Sequence, residues 1–245
     1  MSDSRVVLIT GGSKGIGRAM AEAFRDAGYR VAATYRSGGV PDGVFGVVCD
    51  ITDQAQVDAA FEAVEKGLGP VEVLIANEGV TKDTLLMRMS DDDWEQVIDT
   101  NITGTLRVVR RASRPMMRAR FGRIILLSSV VGLMGNPGQI NYSASKAALT
   151  QLARVAALEW AEDGIRVNLV HPDAVFDTGL WTPELLATRA AHYGLTVAEY
   201  KRRNLLRTEV TSVAVGRLVR AMADETFACT TGAQVPVDGG NERVI

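Results

Sequence analysis

The chain has 245 residues, is 47% hydrophobic and 23% charged, and carries a formal net charge of −2. That length and apolar content support a large core in one α/β domain and argue against global disorder, and the near-neutral charge argues against a nucleic-acid partner. Cys49 and Cys229 lie far apart with no Cys-x-x-Cys pair, a strand pattern starts at Arg5 with no room for a signal peptide, and no apolar run reaches the roughly 18 residues of a membrane helix. The expectation is a cytoplasmic protein with no metal site, no disulfide framework and no membrane contact.

Strand patterns at 6–10, 31–35, 46–49, 73–76, 123–128, 166–170 and 233–237 alternate with helix patterns at 15–27, 54–66, 91–118, 142–161 and 211–223. Several strands are apolar at consecutive positions, as in Val73-Leu74-Ile75-Ala76, which suits a parallel strand covered on both faces. Asp91, Asp92 and Asp93 give the third helix an acidic first turn, favourable at the positive end of a helix dipole. The alternation predicts right-handed crossovers and a Rossmann-type, doubly wound α/β fold: a mostly parallel seven-stranded sheet with helices on both faces, formed by 1–245 as a single domain. Segment 179–207 breaks the rhythm. It is helical in composition and carries Trp181, Tyr193, Tyr200 and the basic run Lys201-Arg202-Arg203. It reads as a lid over a substrate cleft, with a surface helix pair that buttresses the sheet as the alternative.

Thr10-Gly11-Gly12-Ser13-Lys14-Gly15-Ile16-Gly17 follows the first strand and opens the first helix. Glycines there permit a tight turn and let backbone N–H groups approach a pyrophosphate at the helix N-terminus. Gly11, Ser13, Lys14, Gly15, Ile16 and Gly17 are therefore candidate cofactor contacts. Where an NAD enzyme carries an acid at the end of the second strand, this chain has Arg36, with Lys14 in the loop. Two cations suit a 2′-phosphate, so the cofactor is read as NADP(H). Tyr142 and Lys146, four apart, share one helix face. A lysine so placed would lower the phenol from its usual value of about 10 towards the working range.

The TGxxxGxG spacing of the loop, with Asn77-Glu78-Gly79, Ser129, Tyr142 and Lys146 at their positions, resembles the short-chain dehydrogenase/reductase family. That resemblance implies an oxidoreductase acting on CH-OH and C=O groups, with Asn101, Ser129, Tyr142 and Lys146 as its catalytic set. It also implies that Asp50, with Ile51 beside it, meets the adenine, and that Asn77 and Gly79 belong to an altered Asn-Ala-Gly motif at the cofactor. Tyr142 would donate a proton to the substrate oxygen and Ser129 would hydrogen-bond it. Lys146 would hold the nicotinamide ribose, and Asn101 would place a relay water. Glu78, at the motif's middle position, is expected to weaken dinucleotide binding by charge and bulk, unless it turns outward.

Segment 128–146 and the run Leu85-Leu86-Met87-Arg88-Met89 resemble 3-oxoacyl-acyl-carrier-protein reductases over residues 5–170, the actinobacterial ones in particular. This implies NADPH-dependent reduction of 3-oxoacyl thioesters in fatty acid biosynthesis, a homotetramer, and acyl carrier protein as a partner through Arg120. Arg118, Arg120 and Arg123 would form a basic patch near the active-site entrance, although the second family contact falls at Asp163. After Val170, Pro172-Asp173, the displaced Asp177-Thr178 pair and the stretches 203–206 and 230–241 resemble the dehydrogenase part of bifunctional rhamnulose-phosphate aldolase/alcohol dehydrogenases. The chain thus reads as a mosaic, natural or engineered. The alternatives are a dehydrogenase of small hydroxy compounds or aldehydes, and a catalytically silent binding protein, against which the intact catalytic set argues. His171 reads as structural, and Trp181 and Tyr193 as packing residues of the insertion.

Overall fold

The computed structural model describes residues 4–241. Its seven strands are β1 (Val6–Ile9), β2 (Arg30–Tyr35), β3 (Phe45–Val48), β4 (Val71–Ala76), β5 (Gly122–Leu127), β6 (Ile165–Pro172) and β7 (Gln234–Val237). They lie in the order β3-β2-β1-β4-β5-β6-β7. Every neighbouring pair is parallel, so the sheet expected to be mostly parallel is parallel throughout. The order reverses between β1 and β4, which opens a crevice at the carboxyl ends of those strands, where open α/β sheets take their ligands.

Alternation along each strand divides the core into two layers. Val6, Leu8, Leu74, Ile124, Leu126, Val167 and Leu169 face one side. There they meet α2 (Gln54–Gly67), α4 (Thr105–Ala119) and α6 (Ile140–Trp160) through Phe61, Val108, Met116 and Leu149. Val7, Ile9, Val73, Ile75, Ile125, Leu127 and Val170 face the other. There they meet α1 (Gly15–Asp26) and α9 (Ser212–Ala223) through Met20, Phe24, Val215, Val219 and Met222. Consecutive apolar residues in the strands are the direct consequence of helices on both faces.

The helix expected over 91–118 is not one regular helix. It runs as α3 (Asp91–Ile98), then a π-helical turn over Asp99–Gly104, then α4. The short helix α5 (Val131–Met134) follows β5. The 179–207 segment folds into α7 (Pro183–His192) and α8 (Val197–Lys201), each capped by a threonine, Thr182 and Thr196. These helices build a small core of their own: Phe176, Leu186, Ala190 and Tyr200, with Trp181 and Leu195 packed against it. Phe176 and Trp181 have ring centroids 4.9 Å apart, Tyr193 stacks on Tyr200 at 5.7 Å, and the Arg203 guanidinium lies 4.8 Å from each of those tyrosine rings. Trp181 and Tyr193 are packing residues, as expected.

The basic patch needs correction. Arg118 and Arg120 precede β5 and Arg123 sits in its first turn of residues, whereas Ser129 follows the other end. Six strand residues at about 3.3 Å each put roughly 20 Å between these arginines and the chain's own catalytic edge. Arg123 is moreover buried, stacked on Phe121 at 4.1 Å and bonded to the Gly164 carbonyl oxygen at 3.2 Å. Arg120, which ends α4 in a left-handed conformation (φ 51°), donates to the Glu162 carbonyl and pairs with Asp163 at 3.4 Å. The aspartate that replaces a basic contact is thus the partner of the one that remains.

The base of the cap is tied to the body by Asp177, whose carboxylate accepts from the Ser212 backbone N–H (2.9 and 3.1 Å) and the Ser212 hydroxyl (2.8 Å) at the start of α9. Asp177→Ala should cost about 1 kcal/mol, since the site is open to water. Calorimetry should then show the unfolding midpoint lowered by about 2–4 °C. An unchanged midpoint would mean that this tie carries no stability.

Candidate active site

The residues singled out from the sequence gather at the carboxyl edge of the sheet, around the crevice between β1 and β4. The glycine-rich loop leaves β1 and enters α1 through Gly11 (φ 66°) and Gly15 (φ 54°), which L side chains rarely match. A Cβ at Gly17 would run into the Gly11 carbonyl group, so the helix can meet the turn there only through glycine. Lys14 is the exposed N-cap of α1 and supplies no side-chain cap, with Ser13 and Ile16 partly buried beside it. Asn77 braces the loop: its Nδ2 donates to the carbonyls of Thr10 (3.0 Å) and Gly11 (3.2 Å), and its backbone N–H donates to the Thr10 hydroxyl at 3.0 Å. A tight turn of backbone leading to an uncapped helix N-terminus is a fit cradle for a dinucleotide pyrophosphate.

At the ends of β2 and β3, Arg36 is exposed and stands 3.7 Å from the Asp50 carboxylate. Burial alone would raise the Asp50 carboxyl, but bonds from the Thr52 N–H and hydroxyl and the charge of Arg36 outweigh it and hold it below its usual value. The Ile51 side chain is 2% exposed and lies in the core against Gly104. Glu78 does not turn outward. It reaches inward over Gly11 towards Thr34, whose hydroxyl lies 3.4 Å from its Oε1. Burial pushes its carboxyl up to about 7, with Arg36 opposing and Asp50 adding to the rise.

The π-helical turn places Asn101, fully buried, beneath the loop after β4. Its Oδ1 accepts from the Val80 N–H at 2.8 Å, while its Nδ2 donates to the Val80 carbonyl at 3.0 Å and the Ser145 hydroxyl at 2.9 Å. Ser145 in turn donates to the Tyr142 carbonyl at 2.8 Å, which ties the first turns of α6 to Asn101. Gly79 faces both Asn101 and Lys146: a Cβ there would stand 3.1 Å from Lys146 Nζ and 3.5 Å from Asn101 Oδ1. Lys146 is 3% exposed, donates to the Leu127 carbonyl at 2.8 Å, and lies 5.7 Å from the Tyr142 ring centroid. Burial lowers its ammonium to about 8.

Tyr142 keeps part of its surface exposed. Burial nevertheless raises its phenol above the usual value, with the facing Ser129 hydroxyl pulling the other way. This reverses the expectation that Lys146 would acidify the phenol. Burial draws the lysine itself towards its neutral form and its ammonium is bonded to Leu127 O, so desolvation of the phenolate wins.

Two supports were missed or undervalued in the sequence. Ser145 carried no motif signal, being one more small residue on a helix. His171, 0% exposed, sets its Nδ1 3.1 Å from the Ser129 carbonyl oxygen, and so holds the backbone of the residue whose hydroxyl faces Tyr142. Its structural reading stands. Among the described residues no cluster of metal-ligating side chains occurs, and no helix is long and apolar enough to cross a membrane.

Thr178, at the base of the cap, rests beside Gly15: a Cβ on that glycine would stand 3.5 Å from Thr178 Cγ2. The cap therefore starts against the glycine-rich loop itself.

Comparison with known proteins agrees with this arrangement. Residues 5–187 match the family model for short chain dehydrogenase. The 3-oxoacyl-[acyl-carrier-protein] reductase MabA of Mycobacterium tuberculosis (strain ATCC 25618 / H37Rv) is 43% identical over 237 residues, covering 97% of this chain and 92% of that protein. The reductase FabG of Escherichia coli (strain K12) is 34% identical over 255 residues, covering 97% of each. The likeness to these reductases thus continues past residue 170, where the sequence alone placed its end. Among solved structures, the crystal structure of gox2181 superposes with a TM-score of 0.88 at 28% identity, covering 99% of this chain and 97% of that one. The chain belongs to the short-chain dehydrogenase family and is an oxidoreductase acting on CH-OH and C=O groups.

Proposed function

We propose that this oxidoreductase reduces 3-oxoacyl thioesters with NADP(H), as a step of fatty acid biosynthesis. The observation that carries the reading is the convergence of Tyr142, Lys146 and Ser129 on one sheet edge beside the glycine-rich loop. The relatives named as 3-oxoacyl-[acyl-carrier-protein] reductases support the substrate class. So does an apolar rim: Leu85, Leu86 and Met87 before α3 and Leu133 and Met134 on α5 are exposed, and the two segments are joined near their ends by the Thr84 N–H to Gly138 carbonyl bond of 2.8 Å. Such side chains suit an acyl chain better than a small polyol. Arg36, exposed and only loosely paired, supports NADP(H) over NAD(H).

When bound, the nicotinamide cofactor supplies the hydride that the carbonyl carbon accepts. The chain's own residues handle the oxygen. Ser129 donates a hydrogen bond to it as charge develops, and Tyr142 donates the proton. Burial keeps the phenol protonated at neutral pH, the state a donor needs. Lys146, ionising at about 8, is mostly cationic at pH 7 and stabilises the phenolate left behind. The Asn101 amide is bonded to Val80 and Ser145, so its first role is to position α6. The remaining lone pair of its Oδ1 serves a water between it and Lys146.

A homotetramer is part of the proposal, supported by apolar residues left exposed on the outer faces of α4 and α6, Leu106, Val155 and Leu158. Acyl carrier protein docked at Arg120 would deliver its cargo to the site of another protomer, because the chain's own site lies at the opposite sheet edge.

Purified protein should oxidise NADPH with an acetoacetyl thioester. Tyr142→Phe should lower kcat by about 10²–10⁴-fold, the usual worth of a positioned general acid, with the Kd for NADPH changed by less than about threefold. Retention of more than half the kcat would remove Tyr142 from the mechanism.

The cap, with its own aromatic core and its base on the glycine-rich loop, is proposed to be the substrate lid and the distinct part of a mosaic chain. It meets the variable end of the substrate, while Ser129 and Tyr142 meet only the carbonyl. Exchanging 172–207 for the shorter segment of a 3-oxoacyl reductase should shift the kcat/KM ratio between acyl thioesters and small hydroxy compounds by about tenfold or more. An unmoved ratio would make the cap a buttress.

A further inference from the structure

Glu78 places in the dinucleotide crevice a carboxylate that the cradle itself does not require. Its Cγ stands 2.7 Å from where a Cβ on Gly11 would lie, so the side chain lies on the floor of the glycine-rich turn. Its Oε1 is 3.4 Å from the Thr34 hydroxyl near the end of β2, and that same hydroxyl accepts from the Gly11 N–H at 3.1 Å. The carboxylate therefore bridges the ends of β4, β1 and β2. In a doubly wound sheet the end of β2 is where the adenosine ribose is read, by an acid for a free 2′-hydroxyl or by an arginine for a 2′-phosphate. This chain has the arginine, Arg36, just after β2 and brings the acid in from the loop after β4.

We propose that Glu78 sets the choice between phosphorylated and unphosphorylated nicotinamide dinucleotides, because its carboxylate reaches the end of β2 and there competes with a 2′-phosphate for Arg36. The inference rests on the nicotinamide-dependent reading of the site. Ionised, Glu78 repels the phosphate and accepts a hydrogen bond from a ribose hydroxyl; protonated, it leaves Arg36 to the phosphate.

The charged groups around it fix which of them responds to pH. Arg36, just after β2, and Asp50 and Cys49, just after β3, are the charged and titratable groups whose fields couple to it, and Arg36 stands 3.7 Å from Asp50. Asp50 is held below its usual value and stays ionised, and burial with the charges of Glu78 and Asp50 pushes the Cys49 thiol up to about 12, so it stays neutral. Only Glu78, at about 7, changes charge in this group near neutrality. Binding that requires its protonated form takes up one proton, so NADPH affinity must fall as pH rises through that value.

The test is the Kd of NADPH and of NADH, read from nicotinamide fluorescence between pH 6 and 8.5, for the wild-type chain and Glu78→Gln. The 2′-phosphate has its own ionisation near pH 6, present in both proteins, so the difference between them isolates the carboxylate. In the wild type, NADPH affinity should fall by about tenfold per pH unit above 7 while NADH affinity changes by less than about threefold. Glu78→Gln should bind NADPH about tenfold tighter at pH 8 and lose that slope. A wild-type preference that moves by less than about twofold across the range, or a slope that survives in Glu78→Gln, overturns the inference. If neither dinucleotide binds either protein at pH 6, while thermal unfolding shows both folded, the cofactor reading itself fails and this inference with it.

Discussion

The buried amide of Asn101 is the contact on which the rest of the site depends. It satisfies both the N–H and the C=O of Val80 and, through Ser145, holds the carbonyl of Tyr142. A regular helix through residues 99–104 would turn that amide elsewhere; the π turn adds the width that lets it reach the loop after β4. Leaving Val80 and Ser145 without partners in the interior would cost about 1–3 kcal/mol each, so the fold has little freedom to relax this junction. Tyr142 and Lys146 thus inherit their positions from a backbone constraint in a helix to which neither belongs.

Two regions are built on that junction with different degrees of independence. The edge that carries Ser129, Tyr142 and Lys146 is rigid: Lys146 is pinned to Leu127, Ser128 to the Lys146 carbonyl at 2.8 Å, and Ser129 is backed by His171. The cap has its own core of aromatic rings and joins the body through short ties, Asp177 to Ser212 and Asp173 to Asn241 at 2.6 Å. A core that holds Tyr142 fixed and a cap that packs on itself can vary separately.

Much of this was legible in the residues. Consecutive apolar strands such as 73–76 announced a parallel sheet covered on both faces, because burial on two sides leaves no polar alternation. The spacing of Gly11, Gly15 and Gly17 is demanded by positive φ and by close approach to a carbonyl, so it could be read directly. Tyr142 and Lys146 share a helix face at any helix rotation, so their pairing survived. What failed to show depends on direction in space. The π turn hides inside 91–118 because one inserted residue does not interrupt the polarity pattern. Arg118, Arg120 and Arg123 looked like a patch by adjacency, but a strand start lies a sheet's length from its end, and Arg123 turns into the interior. The direction of Glu78 was open in the sequence because a loop residue can face either way; only the empty space over Gly11 decides it.

The same reasoning explains why charge proximity misjudged the phenol. Four residues of separation bring Lys146 near Tyr142, but the depth that brings them together also desolvates both, and burial moves each towards its neutral form. Burial, more than pairing, sets the charge state of Lys146. The most direct measurement is an NMR titration of the ¹³C-labelled lysine ε-carbons, with Lys146 assigned through Lys146→Arg. The account predicts a midpoint for Lys146 near pH 8. A Lys146 signal that titrates at about 10.4, the value of a lysine in water, would contradict it.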